Sequence, residues 1–468
     1  MKKLTMKFGG TSLGDAQAIS RAADICTREQ TSWGWLLVIA SAMSGITDLL
    51  LESTQAAIQN YAVIRSIRTE IFRRHAEVGE QLIQSPDRRS VLLSDLAAVL
   101  DVFERSCEEI SQRGEAEAAL LDIVASIGER CSARLLAAVL QERDLPSMAL
   151  EASQLIVTDN RFQNAAPNMQ LTEKRVRGNL LPILERGIIP VVTGFMGATF
   201  DGEITTLGRG GSDFSASILG ACIETDELWI WTDVDGVLTA DPAIVANAQV
   251  IEKLSYKEVS ELAYFGAKVL HPKTIQPLVE RGTRIWVRNT FEADRPGTCI
   301  GPRPNGKTGS IKAVTAIREL SMVTVEGRGM IGVPGVAART FAAVASAGVS
   351  VLMISQASSE QSISFVVPNE TAKRVIAAIE EEMQRELARR DIDSVWSIDE
   401  AVVVTAVGAG LRDTPGVAAR IFGSLGRANI NVYAIAQGSS ECGLSLVVAS
   451  ENAQAAVQTI HDAVVMDA

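Results

Sequence analysis

Apolar and polar positions alternate along the first 290 residues in two rhythms. Leu4–Phe8 is a short apolar run fit for a buried strand. It is followed by a glycine turn and an apolar-periodic stretch, capped by Asp15, that runs to about Glu29. Runs rich in Val, Ile and Trp recur at Leu36–Ala40, Ile188–Thr193, Glu227–Thr232 and Arg284–Val287, separated by helix-length segments such as Ala118–Gln141 and Ser212–Ala221. Strands alternating with helices predict an α/β domain over residues 1–290 with a largely parallel, helix-covered sheet. Pro296–Lys307 is rich in Gly, Pro and polar residues and marks a linker, taken as 291–318.

The remaining third holds an internal repeat. Val333–Val367 aligns without a gap onto Thr414–Val448, with 17 of 35 positions identical at an offset of 81 residues. Each copy reads strand, helix, strand, turn, strand, helix, which predicts two ferredoxin-like βαββαβ modules in tandem over 319–399 and 400–468. Pro334 and Pro415 are expected in the first turn of a helix. Glu381 with Arg385, and Glu386 with Arg390, are expected as ion pairs one turn apart on a helix over Glu370–Arg390.

Composition narrows the field. A length of 468 residues suggests about three domains, and 47% apolar content describes a globular chain. A formal charge of −12 with no basic stripe argues against nucleic acid. The longest apolar stretch, near Trp35–Ala42, is too short to span a bilayer, and the N-terminus lacks a signal-peptide pattern, so neither membrane nor export is expected. Six scattered cysteines without C-x-x-C and three unclustered histidines give no metal-ligand spacing, and point to a reducing, cytoplasmic setting.

Several segments have the residue types for anion chemistry. Lys7, Gly9 and Gly10 with Thr11 and Ser12 form a strand-to-helix turn where backbone donors and a cation can meet a phosphate, although the Walker order is absent. Ser41 to Thr47 follows the strand ending at Ala40, at the sheet edge where α/β ligands bind; a turn capped through Thr47 reads equally well. Glu129, after Gly128, is either an exposed helix residue or a carboxylate aimed into a cleft to select an amine. Thr206–Asp213, with three glycines around Arg209 and then Ser212 and Asp213, combines backbone donors, a bidentate anion binder and an acid; a glycine turn with Ser212 as helix cap is the plainer alternative. Thr232, Asp233 and Asp235 before Gly236 suit a nucleotide or Mg²⁺ site, or an ordinary Asp-Gly turn. Lys268 offers a second cation, and His271 before Pro272 reads as structural. Gly327-Arg328-Gly329-Met330-Ile331-Gly332 matches a dinucleotide fingerprint but has no acid about 20 residues on, the next being Glu360, so a nicotinamide oxidoreductase is disfavoured.

In this order and combination, KFGGTS, SAMSGIT, GER, TLGRGGSD, TDVDGV, FGAKVLHP and the two PGVAAR repeats resemble aspartate kinase over nearly the whole chain. The similarity looks closest to the kinase half of bifunctional aspartate kinase–homoserine dehydrogenases, and without a dehydrogenase segment a monofunctional enzyme is expected. The resemblance implies an amino-acid kinase fold followed by two ACT domains, and the reaction ATP + L-aspartate → ADP + L-4-aspartyl phosphate with Mg²⁺. By motif, Lys7 holds the transferring phosphates, Gly9 and Gly10 supply backbone donors, and Asp213 orients the cations. Ser41 lies near the transferring group. Thr47, Glu129, Phe195, Arg209 and Ser212 bind aspartate, with Arg209 on the α-carboxylate and Glu129 on the α-amine. Thr232, Asp233 and Lys268 hold the nucleotide. Leu238 and Ala243 depart from the tyrosine and arginine common there.

The resemblance also makes Gln356 and Gln437, at matching places in the two repeats, ligands for an amino-acid effector: threonine first, lysine second. ACT pairing implies a homodimer or homotetramer. An effector-insensitive, ectoine-type aspartate kinase, a glutamate, acetylglutamate or carbamate kinase of the same fold, and a non-catalytic amino-acid-binding regulator remain as rivals.

Overall fold

The computed structural model describes residues 1–267, 270–303, 309–357, 361–438 and 441–465. The chain divides into two compact units. The first is Met1–Val237 with Glu252–Tyr256 and Leu270–Arg303; the second is Leu238–Ile251 with Lys257–Val269 and Pro304–Ala468. Two segments inside the expected 1–290 domain thus group with the C-terminal unit.

The first unit is built on strands β1 (Lys3–Phe8), β2 (Trp35–Ala40), β3 (Ser147–Leu150), β4 (Ile189–Thr193), β5 (Met196–Ala198), β6 (Ile204–Thr206), β7 (Glu227–Thr232), β8 (Lys253–Ser255), β9 (Arg284–Asn289) and β10 (Thr298–Gly301). Eight of them form one sheet in the order β3-β4-β2-β1-β7-β9-β10-β8, while β5 and β6 pair as a ribbon. Pairing is parallel from β3 through β9, and only β10 against β9 is antiparallel. The carboxyl ends of β1, β2, β4 and β7 therefore share one edge, the usual location of a site in such sheets.

Local chemistry explains the elements. Asp15 caps the helix Ala16–Gln30 by accepting from the Ala18 amide at 2.8 Å. Ser85 caps and Pro86 opens Pro86–Arg113, which stops at Gly114 in a left-handed conformation. Helix Ala118–Glu142 is buried over most of its circumference, packing Leu120, Val124, Ile127, Cys131 and Leu135 into the main core. No helix among the described residues is long and apolar enough to cross a membrane.

Strands β1 and β7 are fastened by aromatic packing. Phe8 stacks on Trp231 with centroids 6.1 Å apart, Trp229 meets Trp231 edge-on at 6.0 Å, and the Arg288 guanidinium lies 4.9 Å from the Trp231 ring centre. Trp231 is fully buried, its indole N–H directed at Met6 Sδ at 3.4 Å.

The second unit has one six-stranded antiparallel sheet: β11 (Ala313–Glu326), β12 (Met353–Gln356), β13 (Ser362–Pro368), β14 (Ser394–Val407), β15 (Ala434–Ala436) and β16 (Gly443–Ala449), in the order β12-β13-β11-β14-β16-β15. Two βαββαβ modules share it, but not as simple tandem copies. β11 and β14 each change register midway, where Glu319 and Glu400 have positive φ. The latter half of β11 and the first half of β14 pair within the first module. The latter half of β14 takes 313–317, from the start of β11, as its neighbour and so completes the second module. The stretch 291–318 expected as a linker accordingly contains β10 and a structural half-strand.

Three further expectations are corrected. Helices Val336–Ser346 and Val417–Arg427 begin after Gly335 and Gly416, so Pro334 and Pro415 precede the caps rather than occupy the first turn. The helix over 370–390 is split at Met383, and Glu386 pairs with Arg339 on the neighbouring helix instead of Arg390. The GRGMIG glycines are needed for close packing: Cβ atoms at Gly327 or Gly329 would collide with the Asp391 backbone.

Trp231→Ala should lower stability by about 3–5 kcal/mol through the cavity it leaves. Chemical denaturation monitored by circular dichroism would show this as a lower midpoint, and an unchanged midpoint would rule out this clamp.

Candidate active site

The site is assembled where strands end. Phe8 leads into Gly9 and Gly10, Ala40 into Ser41, Thr193 into Phe195, and Thr232 into Asp233. Parallel pairing of β1 with β2 and β7 sets Lys7 beside Ile39 and Ile230. Side chains alternate along a strand, so Lys7 emerges on the opposite face from the buried Met6 and Phe8.

Lys7, Ser41, Thr47, Glu129, Phe195, Arg209, Ser212 and Asp213 line one cavity of about 620 Å³. Every catalytic and substrate-binding residue expected from the sequence, drawn from five segments, is thus brought together. Lys7 Nζ lies 2.7 Å from Asp213 Oδ1, with both side chains less than a fifth exposed. Arg209 is exposed, and among the described residues its guanidinium has no hydrogen-bond or ion-pair partner.

Glu129 is 4% exposed, so it is a cleft carboxylate and not a surface one. Burial pushes its pKa up to about 8, against smaller opposing effects from backbone donors, Ala42 among them, and from the Lys7 charge. Its Oε2 has no hydrogen-bond partner among the described residues. The preceding glycine explains how the Ala42 loop comes so near: a Cβ on Gly128 would sit 2.6 Å from Ala42 Cβ. A buried, unsatisfied carboxyl group facing a cavity is suited to receive a cation.

The arginine loop is shaped by backbone constraints. Gly208 and Gly210 have φ of +75° and +72°, which admit left-handed turns on either side of Arg209. Helix Gly211–Ile223 then starts from Gly210 with no side-chain cap, so Ser212 is free of the capping role. Thr47 likewise does not cap, because Gly45 holds that place in Ile46–Gln59.

The nucleotide-side candidates lie outside this cavity lining. The Gly9 amide donates to Trp231 O at 3.0 Å, so it is already engaged and Gly9 serves close strand packing, a correction to its expected donor role. Gly10 opens the short helical turn Thr11–Leu13. Thr232 donates to Asp233 Oδ1 at 3.1 Å, and Asp233 is exposed. Asp235 accepts from Asn289 Nδ2 at 2.7 Å and pairs with Arg295, which makes it a brace for the turn. Lys268 lies outside the described residues. His271 caps Pro272–Val279 through Nδ1, as the structural reading expected.

Gln356 and Gln437 sit in the second unit. Gln356 ends β12 and lines a separate hollow of about 280 Å³ with Met330, Gly335 and Ile363. Gln437 follows β15 directly, and Ser355 Oγ donates to Ile435 O at 3.1 Å, linking the two edge strands.

Sequence reasoning missed Asp122 and Gln163, and gave no separate role to Thr206 at the head of the Thr206–Asp213 motif; all three line the cavity. Asp122 accepts from the Thr206 hydroxyl and amide, both at 2.8 Å, and from the Gln163 amide at 2.9 Å. A signal existed: Leu121, Asp122 and Ala125 lie one or two turns before Glu129 on one helix face.

Comparison with known proteins places this geometry. The amino acid kinase family model matches residues 2–289, and an ACT domain model matches 323–383 and 404–464. The chain belongs to the amino acid kinase family. Its relatives include aspartate kinases aligned along its full length. Bifunctional aspartokinase/homoserine dehydrogenase 1 of Zea mays is 36% identical over 460 residues, covering 97% of this chain and 50% of that protein. Lysine-sensitive aspartokinase 3 of Escherichia coli is 29% identical, with 97% of each covered. The chain spans about half the length of the bifunctional relatives it matches. Among solved structures, E. coli aspartokinase III in complex with aspartate and ADP superposes with a TM-score of 0.77 at 28% identity, covering 98% of this chain and 99% of that one. The Clostridium acetobutylicum aspartate kinase gives 0.82 at 27%, covering 98% and 100%.

Because the Glu129 pKa is raised on folding, the native state holds this proton above the ordinary carboxylate range and forfeits stability as pH rises towards about 8. Glu129→Gln should therefore gain in Tm relative to wild type between pH 5 and 8.5. A Tm difference that does not change with pH would contradict a buried, raised Glu129.

Proposed function

We propose that the chain is an aspartate kinase, transferring the γ-phosphoryl group of ATP to the side-chain carboxylate of L-aspartate to give ADP and L-4-aspartyl phosphate. The observation carrying this reading is the convergence of Lys7, Asp213, Arg209 and the buried Glu129 on one cavity. Arg209 matches an α-carboxylate in bidentate fashion, and Glu129 an α-ammonium. Thr47, Phe195 and Ser212 complete the pocket, with Ser41 on the transfer side. Binding the ammonium draws the Glu129 proton off, so its raised pKa becomes selectivity for an amino acid over a plain diacid.

The nucleophile is already a carboxylate, so no general base is required. Catalysis is positioning and charge neutralisation, with Lys7 drawing the transferring group into line. ATP takes the carboxyl edge of β1 and β7, held by Gly10, Thr232, Asp233 and Lys268. For Mg²⁺, the donors present fit a loosely protein-held ion: among the described residues no cluster of three acids, His or Cys exists, and Asp213 is the carboxylate in the cavity beside Lys7. Asp213 would hold Mg²⁺, which supplies neutralisation of the phosphate charge.

The ACT unit makes feedback by an amino acid the natural control, with Gln356 and Gln437 as effector contacts. Threonine is the first candidate. Lysine is the second, favoured by the solved E. coli neighbour in complex with lysine and aspartate. Self-association through ACT edge strands accords with Ile354 and Ile435, exposed by 48% and 46%. Either assembly, a homodimer or a homotetramer, fits these edges.

Hydroxylamine trapping of aspartyl phosphate from MgATP and L-aspartate, with and without threonine or lysine, tests the whole reading. No hydroxamate would overturn it, and glutamate would be the next substrate tried. Lys7→Ala should lower kcat by roughly 10²–10³, since a transition-state charge donor is removed. Arg209→Ala should chiefly raise the aspartate KM; an unmoved KM would refute its contact with the α-carboxylate.

A further inference from the structure

Asp122 is a carboxylate buried to 1% exposure at the wall of the cavity, and the phosphoryl-transfer scheme above gives it no task. Its oxygens are fully used. Oδ1 accepts from Thr206 Oγ1 at 2.8 Å and Oδ2 from the Thr206 amide at 2.8 Å, while the Gln163 amide reaches both at 3.1 and 2.9 Å. Gln163 holds a left-handed φ of +67°, unusual for its type, in the turn that presents this amide.

These bonds control the arginine loop. The Ala165 amide donates to Thr206 O at 2.9 Å, and a Cβ on Gly208 would lie 2.9 Å from Asn164 Oδ1, so residues 163–165 are pressed against 206–208. Gly208 O in turn accepts from the Gly211 amide at 2.9 Å, which fixes the turn around Arg209. Asp122 thus grips both sides of the base of the loop that ends in Arg209, Ser212 and Asp213.

Asp122 also shares helix Ala118–Glu142 with Glu129, seven residues or about two turns away, and both face the cavity. One rigid element therefore holds the carboxylate for the substrate ammonium and, through Asp122, the base of the loop for the substrate carboxylate. We propose that Asp122 is a positioning residue that sets the span between Glu129 and Arg209, and so fixes the affinity for the amino-acid substrate. The inference rests on the aspartate kinase reading.

The test is steady-state kinetics of Asp122→Asn and of Thr206→Val. The first places an amide NH₂ against backbone donors, and the second removes one hydroxyl while keeping the fold's shape. Asp122→Asn should raise the aspartate KM by about 10- to 100-fold, with kcat and the ATP KM changed by no more than about threefold, as expected when a binding group is displaced. Thr206→Val should shift the aspartate KM the same way by a smaller factor. A double variant no worse than Asp122→Asn alone would support action through that bond. Reduced kcat or Tm with an unmoved aspartate KM would mark a purely structural role and overturn the proposal. If Asp122→Asn does not fold, an unmoved KM in Thr206→Val overturns it. Wild-type protein that forms no hydroxamate from aspartate would instead overturn the functional reading, and this inference with it.

Discussion

Parallel pairing of β1 with β2 on one side and β7 on the other is the constraint from which the kinase unit follows. It sends the chain out of three adjacent strands along one edge, so a lysine near the end of the first comes to lie among loops from distant parts of the sequence. Phe8, Trp231 and Met6 hold those strands together beneath the site. The Lys7–Asp213 pair is a product of this arrangement, since its partners lie 206 residues apart in sequence and 2.7 Å apart in space.

Around that edge, charge and solvation are arranged unevenly. Arg209 stands exposed on a glycine-bounded loop, while Glu129 is buried and resists ionisation. The exposed cation needs little reorganisation to meet an anion. The buried acid becomes comfortable as an anion only when a cation arrives. The asymmetry favours a zwitterionic ligand over one that carries negative charge alone.

Much of this was legible in the sequence because strand ends and glycine turns leave local marks. Leu36–Ala40 and Glu227–Thr232 were apolar enough to be found within a residue of their ends, and Ser41, directly after the first, lines the cavity. Gly128-Glu129 was ambiguous because a buried acid and a surface acid look alike until the helix is packed. Asp122 was harder to read for a different reason: helical spacing put it on the face of Glu129, but its partners come 41 and 84 residues later, and hydrogen bonds to backbone amides carry no side-chain signature. The Glu386 pairing went astray because a break at Met383 ended the periodicity on which it relied.

In the second unit, the repeat betrayed the duplication but not how the copies interlock. The half-strand 313–317 that completes the second ACT module is made before the first module begins, and it pairs with the latter half of β14 about 90 residues later. During synthesis this strand has to wait, with an open edge, until the whole first module and the latter half of β14 have emerged. The first module therefore lies inside the second in sequence: truncation after it would leave 313–317 without its neighbour, whereas the first module can be removed as one internal piece. The duplication is thus no longer symmetric: the inner copy is an insertion in the chain of the outer one, and only the inner copy can be lost without breaking the other's sheet.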